Sequence, residues 1–231
     1  MIIVFDLDDT LYDETTYVRS GFRAVAAFVQ REWRVPRARM FAAMVRHLER
    51  EGRGRVFDTA LAEFGIRTRA AARRCLAVYR GHSPDIRLSA AGARCLRRFA
   101  DQPKYLVTDG NARVQEAKVA ALGIRRLFRR VFVTHRFGRQ HAKPSPYCFQ
   151  RIAALERAAA REIVYVADNP RKDFVGIRPL GFRTIRVLTG PFGRQRAHAG
   201  FDAEVAIAGL DELTPALLDR LSSHTSNRRK P

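Results

Sequence analysis

The chain opens with Ile2, Ile3, Val4 and Phe5, an unbroken apolar run that stops abruptly at Asp6. Four such residues without alternation describe a strand buried on both faces, the kind found inside a parallel sheet. That demand excludes most architectures, because a parallel sheet needs crossover connections and covering layers. Asp8 follows two residues after Asp6, with Asp9 beside it. Ligands of open α/β sheets bind beyond the carboxyl ends of the strands, which is where these carboxylates stand. If the extended geometry persists through the turn, Asp6 and Asp8 project to one side. Two carboxylates about 4 Å apart repel by roughly 4 kcal/mol at an effective dielectric near 20. A hard divalent cation such as Mg²⁺ relieves that repulsion with carboxylate, water and phosphate oxygens as its ligands. The alternative is that Asp8 and Asp9 cap the following turn or helix.

From Asp85 onward, strand and helix patterns alternate. Helices are expected near Ser89–Ala100, Ala112–Leu122 (ending at Gly123), Tyr147–Ala158, Phe174–Leu180 (ending at Gly181) and Pro215–Leu221. Strands are expected at Tyr105–Val107, Val131–Val133, Ile163–Val166, Thr184–Val187 and Glu204–Ile207. The expected fold class is α/β, a Rossmann-like parallel sheet with helices on both faces. Between Leu11 and Asp85 the periodicity is helical instead: Val18, Phe22, Val25, Val29; then Phe41, Met44, Val45, Leu48; then Ala72, Cys75, Leu76, Tyr79. A crossover is normally one helix with short loops, so this stretch implies an inserted all-helical domain. The expected division is a core of residues 1–12 and 86–222, a helical insert of 13–85 and a disordered tail of 223–231.

Of the 43 basic residues only Lys104, Lys118, Lys143, Lys172 and Lys230 are lysines; the formal net charge is +20. The arginines are dispersed rather than grouped with aromatics, and no helix-turn-helix or zinc-finger spacing occurs, so attraction of small anionic substrates fits better than nucleic-acid binding. No apolar stretch approaches the ~20 residues that span a bilayer, and the short apolar start lacks a basic leader. Cys75, Cys95 and Cys148 have no metal-type spacing and read as buried reduced thiols, pointing to a cytoplasmic location. Oligomeric state is not encoded in any pattern here.

Three further strand ends carry chemistry. Thr108, Asp109 and Gly110 place a hydroxyl and free amides where a helix begins, an arrangement suited to a phosphate oxygen; a plain strand-end turn is the alternative. Lys143 sits in the turn Ala142-Lys143-Pro144-Ser145-Pro146, stiffened by two prolines, where an ammonium neutralises a carboxylate and phosphoryl oxygens together. Ala167-Asp168-Asn169-Pro170-Arg171-Lys172-Asp173 again ends a buried strand in carboxylates; Asp168 and Asp173 could equally be caps.

With these in order, Asp6-Leu7-Asp8-Asp9-Thr10-Leu11, Thr108-Asp109-Gly110, Lys143-Pro144-Ser145-Pro146 and Ala167-Asp168 resemble the four motifs of the haloacid dehalogenase-like (HAD) hydrolase superfamily. Asp109 replaces a frequent Asn, and Ala167 a frequent Gly. The insert after the first motif is similar in position and helical character to the cap of one subgroup. The resemblance implies a Mg²⁺-dependent phosphatase acting on a small phosphomonoester, a sugar phosphate or nucleotide, through an aspartyl-phosphate. It implies Asp6 as nucleophile, Asp8 as acid and base, and Thr108 and Lys143 as catalytic stabilisers. Thr10, Asp109 and Gly110 are implied as substrate contacts, and Asp6, Asp8 (through its carbonyl), Asp168 and Asp173 as the metal site. Asp173 ligates through water or orients Lys143. Thr15, Tyr17, Arg19 and Phe22 of the insert, and Gln115 and Lys118 after the second motif, are open between substrate contact and packing. A dehalogenase, which needs neither the acid at Asp8 nor the metal, and a non-catalytic phosphate-binding module are the rival readings.

Overall fold

A computed structural model describes residues 1–195 and 202–223 of the 231-residue chain. In chain order the elements are β1 (Ile2–Phe5), α1 (Glu14–Trp33), α2 (Arg37–Glu51), α3 (Val56–Ala62), α4 (Arg69–Gly81), α5 (Ala90–Arg98), β2 (Lys104–Thr108), α6 (Ala112–Ala121), β3 (Arg130–Val133), α7 (Tyr147–Glu156), β4 (Ile163–Ala167), β5 (Arg183–Val187), β6 (Val205–Ile207) and α8 (Pro215–Ser223). Two compact units result: Met1–Glu14 with Arg87–Pro231, and Thr15–Ile86.

The first unit is a six-stranded, all-parallel sheet in the order β3-β2-β1-β4-β5-β6, a Rossmann-like α/β fold. β1 lies in the middle because it is apolar on both sides. Ile2 and Val4 join Tyr105, Val107, Phe132, Ile163 and Tyr165 against Cys148, Phe149 and Ile152 of α7. Ile3 and Phe5 are likewise fully buried, and the Phe5 ring meets Phe128 edge-on. Each such side chain contributes about 1.5–3 kcal/mol by leaving water. Strand order reverses beside β1: the chain runs outward through β2 and β3, then returns to place β4 on the other flank. The crevice at such a reversal is the natural binding place in an open sheet, and Phe5 registers with Val166 there.

Local chemistry sets the helix ends. Ser89 caps α5 by accepting from the Gly92 N–H at 2.9 Å, and its own hydroxyl donates to the Leu11 carbonyl at 3.1 Å, tying the acidic turn to α5. Asn111 caps α6, and Gly123 takes the left-handed conformation after it (φ 66°). Buried Lys104 at the start of β2 donates to the Ala100 carbonyl at 2.8 Å and to that of Phe99, satisfying the open end of α5.

The second unit consists of α1 to α4. Val18, Phe22, Val25 and Val29 form the buried stripe of α1, with Phe22 against Phe57 and Tyr79. In α2 the buried stripe is Met40, Ala43, Met44 and His47, rotated from the expected Phe41, Met44, Val45 and Leu48. His47 fixes that rotation, its Nε2 lying 2.7 Å from Glu63 Oε1.

Two expectations fail locally. Residues 174–180 form turns that end in a single 3₁₀ turn, Arg178–Leu180, rather than a helix. Gly176 packs directly on the Pro144 carbonyl there, and a continuous helix would carry side chains into it. Ser223 belongs to α8; the rest of the expected tail, 224–231, lies outside the described residues.

Candidate active site

Asp6, the first residue past β1, and Asp168, the first past β4, emerge side by side at the reversal point, and the Asp6 N–H donates to the Val166 carbonyl at 2.9 Å. Oxygens of Asp6, Asp168 and Asp173 lie within 4.8 Å of one another, and all three residues are buried. The Asp8 side chain is not part of this cluster. Lys143 brings the positive charge: its Nζ is 2.7 Å from Asp6 Oδ1 and 2.7 Å from Asp173 Oδ1, and it donates to the Tyr165 hydroxyl at 2.9 Å. Tyr165 in turn donates to Asp173 Oδ1 at 3.2 Å, while Asp173 Oδ2 accepts from the Asn169 N–H at 3.0 Å. Asp173 is thus paired with Lys143, and no helix begins at Phe174 for it to cap.

The electrostatics follow from burial. Loss of water, together with the neighbouring Asp6 and Asp173 charges, pushes the Asp168 carboxyl up to about 9. Asp6 rises to about 6, burial outweighing the nearby Lys143 ammonium. Burial opposes the charge on Lys143, but Asp173 and Asp6 hold it well above its ordinary value. Three buried carboxylates facing one ammonium are short of positive charge. An all-oxygen donor set of this kind fits a hard divalent cation such as Mg²⁺.

Asp8 is held separately. Its Oδ1 accepts from the Tyr12 hydroxyl and from Lys118 Nζ, each at 2.6 Å, and its Oδ2 accepts from Gln115 Nε2 at 3.2 Å. Lys118 also reaches Glu14 Oε1 at 3.1 Å. Asp9 turns the chain in the left-handed region (φ 53°) and caps α1 by accepting from the Glu14 N–H at 3.0 Å. For Asp9, then, the capping alternative is what the fold realises. The Thr10 hydroxyl is buried and has no hydrogen-bond partner among the described residues.

Thr108 is fully buried and donates to Gln115 Oε1 at 3.0 Å. The Asp109 carboxylate accepts from the Thr134 hydroxyl and, at 3.1 Å, from the Lys143 backbone N–H. Burial works against its charge, but those bonds and the nearby Lys172 and Lys143 keep it below the usual carboxylate range. Its side chain thus ties the end of β2 to the Lys143 turn. Gly110 (φ 134°) lies under the Gln115 amide, which would be 3.1 Å from any Cβ placed there.

In the helical unit, Tyr17 and Phe22 are buried packing residues, Tyr17 edge-on to Tyr79; Thr15 and Arg19 are exposed. Three participants escaped notice in the sequence. Tyr12 and Thr134 carry no pattern of their own. Tyr165 sits inside an apolar strand, where its hydroxyl demands a partner. Gln115 and Lys118, which the sequence left open between substrate contact and packing, are buried on α6 beside Val119.

Residues 1–181 match the family model described as haloacid dehalogenase-like hydrolase. A glyceraldehyde 3-phosphate phosphatase of Methanopyrus kandleri is 34% identical over 86 residues, 37% of this chain and 36% of that protein, so the match spans about a third of the relative's length. Among solved structures, a 2-haloacid dehalogenase from Pseudomonas syringae superposes with a TM-score of 0.64 at 24% identity, covering 95% of this chain and 99% of the other. YfnB of Bacillus subtilis, solved bound to magnesium, gives 0.64 at 17% identity, covering 92% and 96%. At these identities the likeness is one of fold.

Proposed function

The chain belongs to the haloacid dehalogenase-like hydrolases, and from that premise we propose that it is a Mg²⁺-dependent phosphatase acting on a small phosphomonoester in the cytoplasm. The observation that carries this reading is a carboxylate–ammonium pair, Asp6 and Lys143, 2.7 Å apart, with a second carboxylate, Asp8, two residues on and held by its own ammonium, Lys118. A dehalogenase has no need of that second carboxylate. Support for a small phosphorylated metabolite comes from the triose-phosphate phosphatase relative. Three buried free cysteines agree with a reducing compartment.

In this reading Asp6 attacks phosphorus in line and forms an aspartyl-phosphate. Asp8 protonates the departing oxygen, then takes a proton from the water that cleaves the intermediate. Lys143 neutralises both the attacking carboxylate and the phosphoryl oxygens, while Thr108 and the Gly110 amide hold the remaining equatorial oxygens. Thr108 leaves Gln115 to do so, and the buried Thr10 hydroxyl is available as a further contact. The cation would be held by Asp6, Asp168 and the Asp8 carbonyl, with Asp173 engaged on Lys143. When bound, it offsets repulsion between carboxylate and phosphate. The helical unit after β1 acts as the cap that carries selectivity.

Purified protein assayed for phosphate release from p-nitrophenyl phosphate, with and without Mg²⁺, and for halide release from 2-chloropropionate tests this directly. Mg²⁺-dependent phosphate release without halide release is expected. Halide release alone identifies a dehalogenase, and neither product identifies a binding module. A panel of sugar phosphates and nucleoside monophosphates then assigns the substrate.

A further inference from the structure

We propose that Lys118, with Tyr12 and Gln115, positions Asp8 so that Oδ2 is the oxygen that exchanges a proton with the substrate. This rests on the phosphatase reading and adds to it a set of positioning residues on α6 and in the turn after β1.

The argument is one of valence. A carboxylate has about two acceptor sites on each oxygen. Both sites of Asp8 Oδ1 are filled, by the Tyr12 hydroxyl and Lys118 Nζ, each at 2.6 Å. One site of Oδ2 is filled by Gln115 Nε2 at 3.2 Å. One site remains, on Oδ2. The Asp8 side chain keeps 21% of its surface exposed, whereas Lys118 keeps 2%. The clamp therefore lies inside the core, and the open face of Asp8 belongs to Oδ2.

The clamp is itself fixed in direction. The Gln115 amide has two acceptors before its nitrogen, Asp8 Oδ2 and the Asp109 carbonyl, each at 3.2 Å, and a hydroxyl donor before its oxygen, Thr108 at 3.0 Å. Turning the amide over would set its oxygen against two groups that only accept, Asp8 Oδ2 and the Asp109 carbonyl, so one orientation satisfies the site whether or not Thr108 stays on the amide. Lys118 is anchored from behind by Glu14 at 3.1 Å. A proton on Oδ2 leaves every one of these contacts intact, with Oδ1 as a carbonyl oxygen accepting twice. Phosphoryl transfer then balances as follows. A bond forms between the Asp6 carboxylate oxygen and phosphorus, and the ester P–O bond breaks. Its electron pair stays on the departing oxygen, which takes the Oδ2 proton, and Asp8 becomes a carboxylate.

The test is leaving-group sensitivity. For wild type, Lys118→Met and Tyr12→Phe, kcat/KM is measured on p-nitrophenyl phosphate, whose phenolate leaves readily, and on phenyl phosphate, whose phenolate needs the proton. Because kcat/KM ends at departure of the leaving group, it isolates the step in which Asp8 acts as acid. Acid catalysis is worth about 10²–10⁴-fold. Lys118→Met is expected to lower kcat/KM about 100-fold on phenyl phosphate and less than about 10-fold on p-nitrophenyl phosphate, with Tyr12→Phe shifting the ratio in the same direction by less. Equal losses on both substrates overturn the inference, since a purely structural effect does not discriminate leaving groups. If Lys118→Met does not fold, as judged by its thermal melt, Tyr12→Phe, which removes one hydroxyl, decides by the same ratio. Wild-type protein that releases phosphate from neither ester overturns the phosphatase reading itself, a result distinct from an active wild type with equal losses.

Discussion

The Lys143 ammonium stands 2.7 Å from Asp6 Oδ1 and, with almost no exposed surface of its own, joins the end of β1 to the loop after β4 through Asp173. One cation thus serves two buried carboxylates contributed by strands far apart in sequence. Removing one member of a buried ionic set leaves uncompensated charge, which typically costs about 3–5 kcal/mol. Lys143→Met is expected to lose stability on that scale in urea unfolding without divalent cation, and to lose phosphate release. A variant as stable as wild type would mean that the pair is not formed in solution.

Asp6→Asn keeps the shape of the side chain and removes its charge and nucleophilicity. Turnover is expected to fall by about 10³-fold or more, while the thermal midpoint stays the same or rises, because one of three crowded carboxylates is gone. Substantial residual turnover would reject Asp6 as nucleophile.

Asp6 and Asp168 both titrate above their ordinary 3.8, to about 6 and about 9, chiefly because burial disfavours their charge. Between pH 4 and 9 the folded chain therefore retains protons that the unfolded chain releases, so this pair makes stability fall as pH rises through that window. Without divalent cation, the thermal midpoint is expected to be higher at pH 6 than at pH 8.5. Millimolar Mg²⁺, binding only the folded form, is expected to raise the midpoint more at pH 8.5 than at pH 6. A Mg²⁺ effect of the same size at both values would remove these carboxylates from the metal site.

Gly176 approaches the turn that carries Lys143 so closely that an added Cβ would lie 1.7 Å from the Pro144 carbonyl oxygen. That oxygen is backbone, so the turn must move. Gly176→Ala is expected to cost about 1–3 kcal/mol and to lower activity by displacing Lys143. Gly209→Ala, where nothing lies within 4 Å of the added methyl, is the control and should change neither. Normal activity in Gly176→Ala would show that the Lys143 turn tolerates displacement.

Much of the fold could be read in advance because its signals are local. The apolar run Ile2–Phe5, the Ser89 and Asn111 caps and the Gly123 stop each act within a few residues, and β1, α5 and α6 begin and end close to where those residues place them. Periodicity was weaker where a tertiary contact competes with it. The stripe of α2 turns to seat His47 on Glu63, and no helix forms from Phe174 because Gly176 must meet Pro144.

The sequence by itself determined which groups stand at strand ends: Asp6, Thr108 and Asp168, with Lys143 in its proline-bounded turn, because a buried strand must stop where the chain becomes charged. Only the tertiary structure decided their partners. Strand order put Asp6 beside Asp168, tied Asp109 to the backbone of Lys143, and buried Lys118 and Gln115 against Asp8. A hydrogen bond or ion pair depends on separation in space, and residues more than 100 positions apart come within 3 Å only once the sheet has fixed which strand lies next to which.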